Sequence, residues 1–378
     1  MNCEKKRLLF LDNLKTFIIF LVVLYHCGWV YEKSGILSSV WIVDDPLKND
    51  SAGLLNLIMD MFMMPILFFI SGYFTPSSLK SKTGWIFLKS RFKRMMVPWI
   101  FAVLTLLPLY KVIFLYSRNL PQENLFSYFH FTGGILINQG WLWFLPVLFL
   151  FDLVYLGLDR VNSLKLKISL KGTLFAIFFI GFAYSFCMSF FNYYGWTKTV
   201  LLDFQNEKIL IYFMAFVFGS LCYRLNVLNT KPDSKKLYYL ICSTIWIPMN
   251  VYIIFLINIF FNPGHYIISH IVDVMLIWLG FHVSLFGMMY VIINTFRYYL
   301  NKTGRLLNLL NSYSYGVYII HFVVMGAIAC ALLNVNISSI TKYAILTISS
   351  LAASNLIVAI YKKSVQKKIS SIDKHSNG

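Results

Sequence analysis

Seven side chains in this sequence combine a reactive or binding group with a place in or beside an apolar run: Lys15, His26, Asp60, Arg91, Arg94, Trp143 and His321. His26 carries an imidazole, the side chain whose charge changes most readily near neutral pH. It stands in LDNLKTFIIFLVVLYHCGWVY, residues 11–31, an apolar stretch long enough to cross a bilayer as a helix. Lys15 lies eleven positions earlier, which returns to within about 20° of the same helical face and about 16 Å along the axis. One stripe therefore holds Asp12, Lys15, Ile19, Val22 and His26. Ionisable groups at membrane depth face a protein interior or a wet cavity. Two other readings stay open: Lys15 snorkels to the interface beside Asp12, and His26 is a structural histidine bonded to a neighbouring helix.

The other five candidates follow the same logic. Asp60, placed by depth near His26, can orient an imidazole ring; equally, it can serve an interhelical hydrogen bond or a helix start. Arg91 and Arg94 in KSRFKRMMVP stand three apart on one helical face, with Lys93 beside them. Two guanidiniums suit a phosphate, and they also suit plain anchoring to anionic lipid. Trp143 in QGWLWFLP opens a span from the outer side, where an aromatic-belt anchor is the competing role. His321 in NSYSYGVYIIH falls near mid-membrane, as a site residue or a structural one. Asp152 lies further along the same span as Trp143, and the pair His270 and Asp273 makes either a local hydrogen bond or a cavity lining.

The elements that must position these groups are helices. Hydropathy predicts ten spans, near 11–31, 54–74, 95–116, 140–158, 172–191, 208–223, 238–260, 267–292, 313–333 and 340–361. Pro98, Pro108, Pro146 and Pro248 should kink or end helices locally. Of the 33 Lys and Arg, 25 lie in the N-tail, in every second loop and in the C-tail, and 7 on the opposite side. That bias places both termini in the cytoplasm, as an even number of spans requires. The fold class is an all-α polytopic membrane protein with about ten transmembrane helices. Residues 1–365 form one transmembrane domain and 366–378 a short cytoplasmic tail. The short basic start lacks a cleavage site after a short apolar core, so the first span reads as uncleaved.

Composition sets the limits. The 378 residues are 58% hydrophobic and 13% charged, against about 25% charged in a soluble chain. The net charge of +18 follows the topology rather than a nucleic-acid surface, so no nucleic-acid partner is expected. The cysteines Cys3, Cys27, Cys187, Cys222, Cys242 and Cys330 are scattered without CxxC or Cys/His spacing, so neither a metal site nor a disulfide framework is expected. GxSxG, P-loop and HExxH motifs are missing, which removes hydrolytic triads and nucleotide hydrolysis.

Five pieces in order give the chain a family likeness: Lys15–x10–His26, FFISGYF at 68–74, RFKRMMVP at 91–98, WLWFLP at 141–146 and SYSYGVYIIHF at 312–322. With them the chain resembles the membrane-bound acyltransferase-3 family, and within it members similar to glucan biosynthesis protein C. The resemblance implies an O-acyltransferase that moves an acyl group, acetyl or succinyl, from acyl-CoA to a hydroxyl of a cell-envelope carbohydrate. Acyl-CoA is then a co-substrate and no cofactor is bound. The other partners are a glycan or lipid-linked carbohydrate acceptor, membrane lipid and separate envelope-polymer synthesis proteins. The location is a cell membrane, as a multi-pass protein of a bacterial cytoplasmic membrane. The catalytic candidates are His26 and Asp60, and the substrate-binding candidates are Lys15, Arg91, Arg94, Trp143 and His321. The family's first-span motif is usually Arg–x10–His; Lys15 keeps that charge without the planar fork. A transporter or flippase for a glycan or lipid-linked sugar is the alternative, though no inverted repeat is visible. A scaffold in an envelope-polymer assembly is a further one.

Overall fold

Nine helices among the described residues are long and apolar enough to cross a bilayer, and a shorter apolar helix accompanies them. The computed structural model describes residues 8–35, 40–129, 139–160, 169–229 and 234–376. The basic residues Lys5, Lys6, Arg7, Lys165, Lys167 and Lys231, together with Cys3, lie outside the described residues. In chain order the helices are α1 Leu9–Tyr31, α2 Asp50–Asp60, α3 Met63–Lys80, α4 Gly84–Ser117, α5 Phe144–Arg160 and α6 Leu170–Phe190. They continue with α7 Ile209–Arg224, α8 Lys236–Thr244, α9 Trp246–Phe261, α10 His270–Tyr299, α11 Arg305–Leu332 and α12 Ser339–Ser376. A hairpin of β1 Trp196–Lys198 and β2 Asp203–Gln205 sits between α6 and α7, pairing Trp196 with Gln205.

The expected second span, 54–74, is interrupted. Helix α2 stops at Asp60 and α3 begins at Met63. Pro65 explains the break, since it lacks an N–H and its ring clashes with the carbonyl four residues back. Pro248 acts similarly, with α8 giving way to α9 just before it. Pro98 and Pro108 do not end their helix: α4 runs unbroken through both. Helix α12 also runs unbroken past residue 365 to Ser376.

The chain divides into two compact units. The first comprises residues 1–11, 57–103 and 129–301. Here α3 and α7 approach most closely, and glycines allow it. A Cβ added at Gly72 would stand 1.8 Å from the Phe216 carbonyl oxygen, and one at Gly219 2.1 Å from that of Phe69. Small residues at such crossings let backbones meet, which is the packing role open to Gly72 in FFISGYF.

The second unit comprises residues 12–56, 104–128 and 302–378. Buried side chains lock α1 to α11 at two levels. At the first, Asn311 Nδ2 donates to Asn13 Oδ1 (2.8 Å) and Thr16 Oγ1 donates to Asn311 Oδ1 (2.6 Å). At the second, His26 meets His321 (2.8 Å). Both contacts advance together along the two sequences, so α1 and α11 run in the same direction. If each apolar helix reverses the chain across the membrane, that requires an odd number of crossings between them. Counting α2 with α3 and α8 with α9, only the inclusion of α7 supplies it. Its 16 residues span about 24 Å, somewhat short of a ~30 Å hydrocarbon core. Among the described residues, α7 taken as a crossing gives ten, the number that this parity calls for.

Candidate functional site

The second unit brings His26 and His321 together. His26 stands near the end of α1 and His321 in the middle of α11, whose start at Arg305 precedes the hydropathy edge expected at 313. The residues from Arg305 to Asn311 prolong the helix, and His321 stands at the level of His26 along α1. The rings stack with centroids 5.0 Å apart and planes 22° apart. Nδ1 of His26 lies 2.8 Å from Nε2 of His321. Nδ1 of His321 in turn lies 2.8 Å from the carbonyl oxygen of Tyr318 and 3.1 Å from that of Val317.

These distances fix the protons. A carbonyl oxygen only accepts, so Nδ1 of His321 carries a hydrogen and donates it to the helix backbone. Nε2 of a neutral His321 is then a lone pair, and Nδ1–H of His26 donates to it. The remaining nitrogen, Nε2 of His26, is left as the basic one. His321 is fully buried, whereas His26 is half-buried. His26 is therefore the more exposed ring of the pair.

Aromatic side chains enclose the pair. Tyr25, Phe322 and Trp41 have ring centroids 5.5, 5.2 and 5.7 Å from that of His26. Trp41 comes from the segment joining α1 to α2, and polar contacts pin this segment. Arg118 Nη2 donates to the Trp41 carbonyl (3.0 Å), Ser117 Oγ to that of Ile42 (3.4 Å), and Tyr110 Oη to that of Val40. Lys342 Nζ forms an ion pair with Asp45 Oδ2 (2.8 Å), and both side chains are buried. Lys15, two residues beyond Asn13 on α1, is half-buried. Neither Trp41 nor the Asp45–Lys342 pair was marked by the sequence. Their loop reads as an ordinary polar connection, and only its inward fold gives those residues a role.

The remaining candidates belong to the first unit. His26 Nδ1 faces His321 within the second unit, and Asp60 lies in the first. Its carboxylate pairs with Lys208, which is 5% exposed and lies 5.6 Å from the Phe281 ring centroid. A buried ammonium needs a counter-charge, and Asp60 at the end of α2 supplies it. Arg91 is likewise engaged. Its Nε stands 3.3 Å from Asp152 Oδ2, and its Nη2 donates to Thr75 Oγ1 (3.1 Å), which donates to Asp152 Oδ1 (3.1 Å). Asp152 is buried, so this guanidinium is held inward, while Arg94 one turn later is exposed.

Trp143 is half-buried in the turn before α5. Its ring lies 5.8 Å from Tyr212, 5.4 Å from Trp196 and 6.3 Å from Phe68. Phe68 also contacts Phe144 at 4.7 Å, so FFISGYF and WLWFLP pack on each other. Asp273 makes local bonds: its carboxylate accepts from the backbone N–H groups of Ile267 (2.7 Å) and Ile268 (3.1 Å).

Outside the membrane-spanning helices, Asp203 in the hairpin accepts from the N–H of Thr199 (3.0 Å) and of Gln139 (3.2 Å). Burial holds its carboxyl above the ordinary carboxylate value in spite of those bonds. Among the described residues no group of three or more His, Cys, Asp or Glu could hold a metal ion.

A family model for an acyltransferase domain, that of acyltransferase-3, matches residues 8–359 of the chain. No curated protein and no solved structure matches it. The matched stretch contains both histidines and every helix from α1 to α11, together with most of α12. The chain belongs to the acyltransferase-3 family of membrane acyltransferases.

Proposed function

We propose that this enzyme moves an acyl group, acetyl or succinyl, from acyl-CoA to a hydroxyl of a cell-envelope carbohydrate, with His26 as the base. The observation that carries the assignment is the chain of bonds from His26 Nδ1–H to His321 Nε2 and from His321 Nδ1–H to the α11 backbone. It leaves Nε2 of His26 as a lone pair in a ring that cannot turn without breaking its bond to His321, whose own ring is held by the α11 backbone. Such fixed orientation is what a general base needs.

The reaction balances on that nitrogen. Nε2 of His26 takes the hydroxyl proton of the acceptor. The oxygen attacks the thioester carbonyl carbon, and the carbon–sulfur bond breaks. The proton held on Nε2 goes to the departing thiolate, giving an ester and free CoA. While His26 is charged, Nδ1–H still donates to His321, which spreads the charge over two rings. His321 is thus a positioning residue. Trp41, Phe322 and Tyr25 around the ring limit water, and with it loss of acyl groups to hydrolysis.

Lys15 and Arg94 supply positive charge on the cytoplasmic side assigned by the Lys and Arg distribution, where the acyl donor arrives. Trp143, beside the exposed Trp196, offers aromatic faces to a sugar ring on the opposite side. Both termini lie in the cytoplasm, and the protein acts in the cytoplasmic membrane of a bacterium. The test is labelled acyl-CoA offered to the purified protein with an envelope glycan. Label should appear as ester on the glycan, and His26→Ala should lower the rate by about 10²- to 10⁴-fold. Acceptor that crosses the membrane unmodified would instead mark a carrier.

A further inference from the structure

Two indole N–H groups near His26 have no hydrogen-bond partner. Nε1 of Trp29 and Nε1 of Trp41 are both buried and both unbonded. Trp29 stands three residues after His26 on α1 and so shares its face. Trp41 comes from the segment that follows, with its ring centroid 5.7 Å from that of His26 and 6.0 Å from that of Trp29. All three residues belong to the second unit. A buried indole N–H normally finds an acceptor, and a buried donor left unpaired is costly. Packing offers only a weak substitute. Trp41 stands edge-to-face with Phe322 (5.1 Å, 76°) and Trp29 with Tyr25 (5.7 Å, 85°), and an N–H aimed at a ring face is a second-order bond.

The segment carrying Trp41 is also fixed in place. Ile42 is fully buried and seats on Gly326 of α11, where an added Cβ would stand 2.3 Å from Ile42 Cδ1. Arg118 holds the Trp41 carbonyl. Donors held rigid before the reaction are what stabilise a developing negative charge. The neutral histidine pair has none to give, since His26 Nδ1–H is spent on His321 and His321 Nδ1–H on the α11 backbone. A base and an oxyanion donor each stand about 3 Å from their oxygens, and those oxygens share one carbon, so base and donor lie roughly 5–8 Å apart. The spacing of the His26 and Trp41 rings falls within that range.

We propose that Trp41 and Trp29 are the oxyanion hole of the transfer, their Nε1–H groups donating to the thioester carbonyl oxygen as it becomes negative. The assignment rests on the acyl-transfer reading above, with His26 as the base. In the step, the acceptor oxygen bonds to the carbonyl carbon, its proton goes to Nε2 of His26, and the carbonyl π pair moves onto the oxygen that the indoles hold. That pair then returns, the carbon–sulfur bond breaks, and Nε2 passes the proton to sulfur. The indoles keep their protons throughout.

The experiment places benzothienylalanine at position 41, and separately at position 29, of the full chain. This residue keeps the shape of the indole and puts sulfur where the N–H stood. Transfer from labelled acyl-CoA to envelope glycan is then measured together with thermal unfolding. Loss of the Trp41 N–H should lower kcat by about 10²- to 10³-fold, and loss of the Trp29 N–H by about tenfold or more. The KM for acyl-CoA should stay within about twofold of the wild-type value, because the bond forms in the transition state. Unfolding temperature should not fall, since no folded-state hydrogen bond is removed. Trp41→Phe should match the isostere in rate. Isosteres that keep more than half of the wild-type kcat at both positions, or that lose stability in place of rate, would overturn the proposal. If His26→Ala abolishes transfer while both isosteres keep it, this assignment alone fails. If the wild type transfers no label, the transferase reading fails and the oxyanion hole with it.

Discussion

Removing the acceptor atom that holds His26 should slow the reaction without removing the base. In His321→Ala, Nδ1–H of His26 loses the partner at 2.8 Å. A buried donor left unpaired costs about 1–3 kcal/mol. If that orientation is used in the transition state, each 1.36 kcal/mol is about tenfold in rate, so kcat should fall by roughly 5- to 150-fold. His321→Gln can restore an acceptor oxygen and should retain more of the rate than His321→Ala. The double variant His26→Ala/His321→Ala should be no slower than His26→Ala alone, because the two rings act as one unit. The assay is release of free CoA from acyl-CoA by membranes supplied with envelope glycan, normalised to folded protein. The reasoning fails if His321→Ala keeps more than half of the wild-type kcat, or if the two single losses multiply in the double variant.

Three further outcomes follow from the packing. Lys342→Met leaves Asp45 charged and buried, and should destabilise by about 3–5 kcal/mol; adding Asp45→Asn should recover most of it, and a single variant within about 1 kcal/mol of wild type in thermal unfolding would contradict the buried pair. Gly72→Ala places a methyl where only 1.8 Å is free, so α3 and α7 must separate, at about 1–3 kcal/mol or more. Gly157→Ala meets nothing within 4 Å and, in a helix interior, should stabilise by up to about 1 kcal/mol; loss of stability in both variants would argue against the close crossing. Asp203 titrates above its unfolded value because of burial, so its folded form holds a proton more tightly. Its contribution is therefore greatest below the unfolded pKa of about 3.9 and is lost as pH rises through the higher folded value; Asp203→Asn should show a flatter unfolding-temperature profile over that window. An unchanged slope would refute the buried-carboxylate account.

The sequence by itself determined the parts of this protein that depend on local patterning. Apolar run lengths specify the crossings, and the last turn of α1, the paired motifs and the candidate base were all marked by residue type. Hydropathy also included α7, an apolar helix of 16 residues that is shorter than the nine long ones. Where a proline would stop a helix was only partly legible. Pro65 and Pro248 interrupt spans, whereas Pro98 and Pro108 are absorbed within α4.

What only the tertiary structure decided is which groups meet. Depth placed Asp60 level with His26, but depth says nothing of lateral neighbours, and helices 295 positions apart in sequence supply the actual contact. Lys208 captures Asp60 and Asp152 captures Arg91, because buried charges are stable only when paired. Neither pairing has a periodic signature. Hydropathy and helical spacing describe one helix at a time, whereas the hydrogen-bonded histidine pair and the inward fold carrying Trp41 arise from how separate helices are arranged.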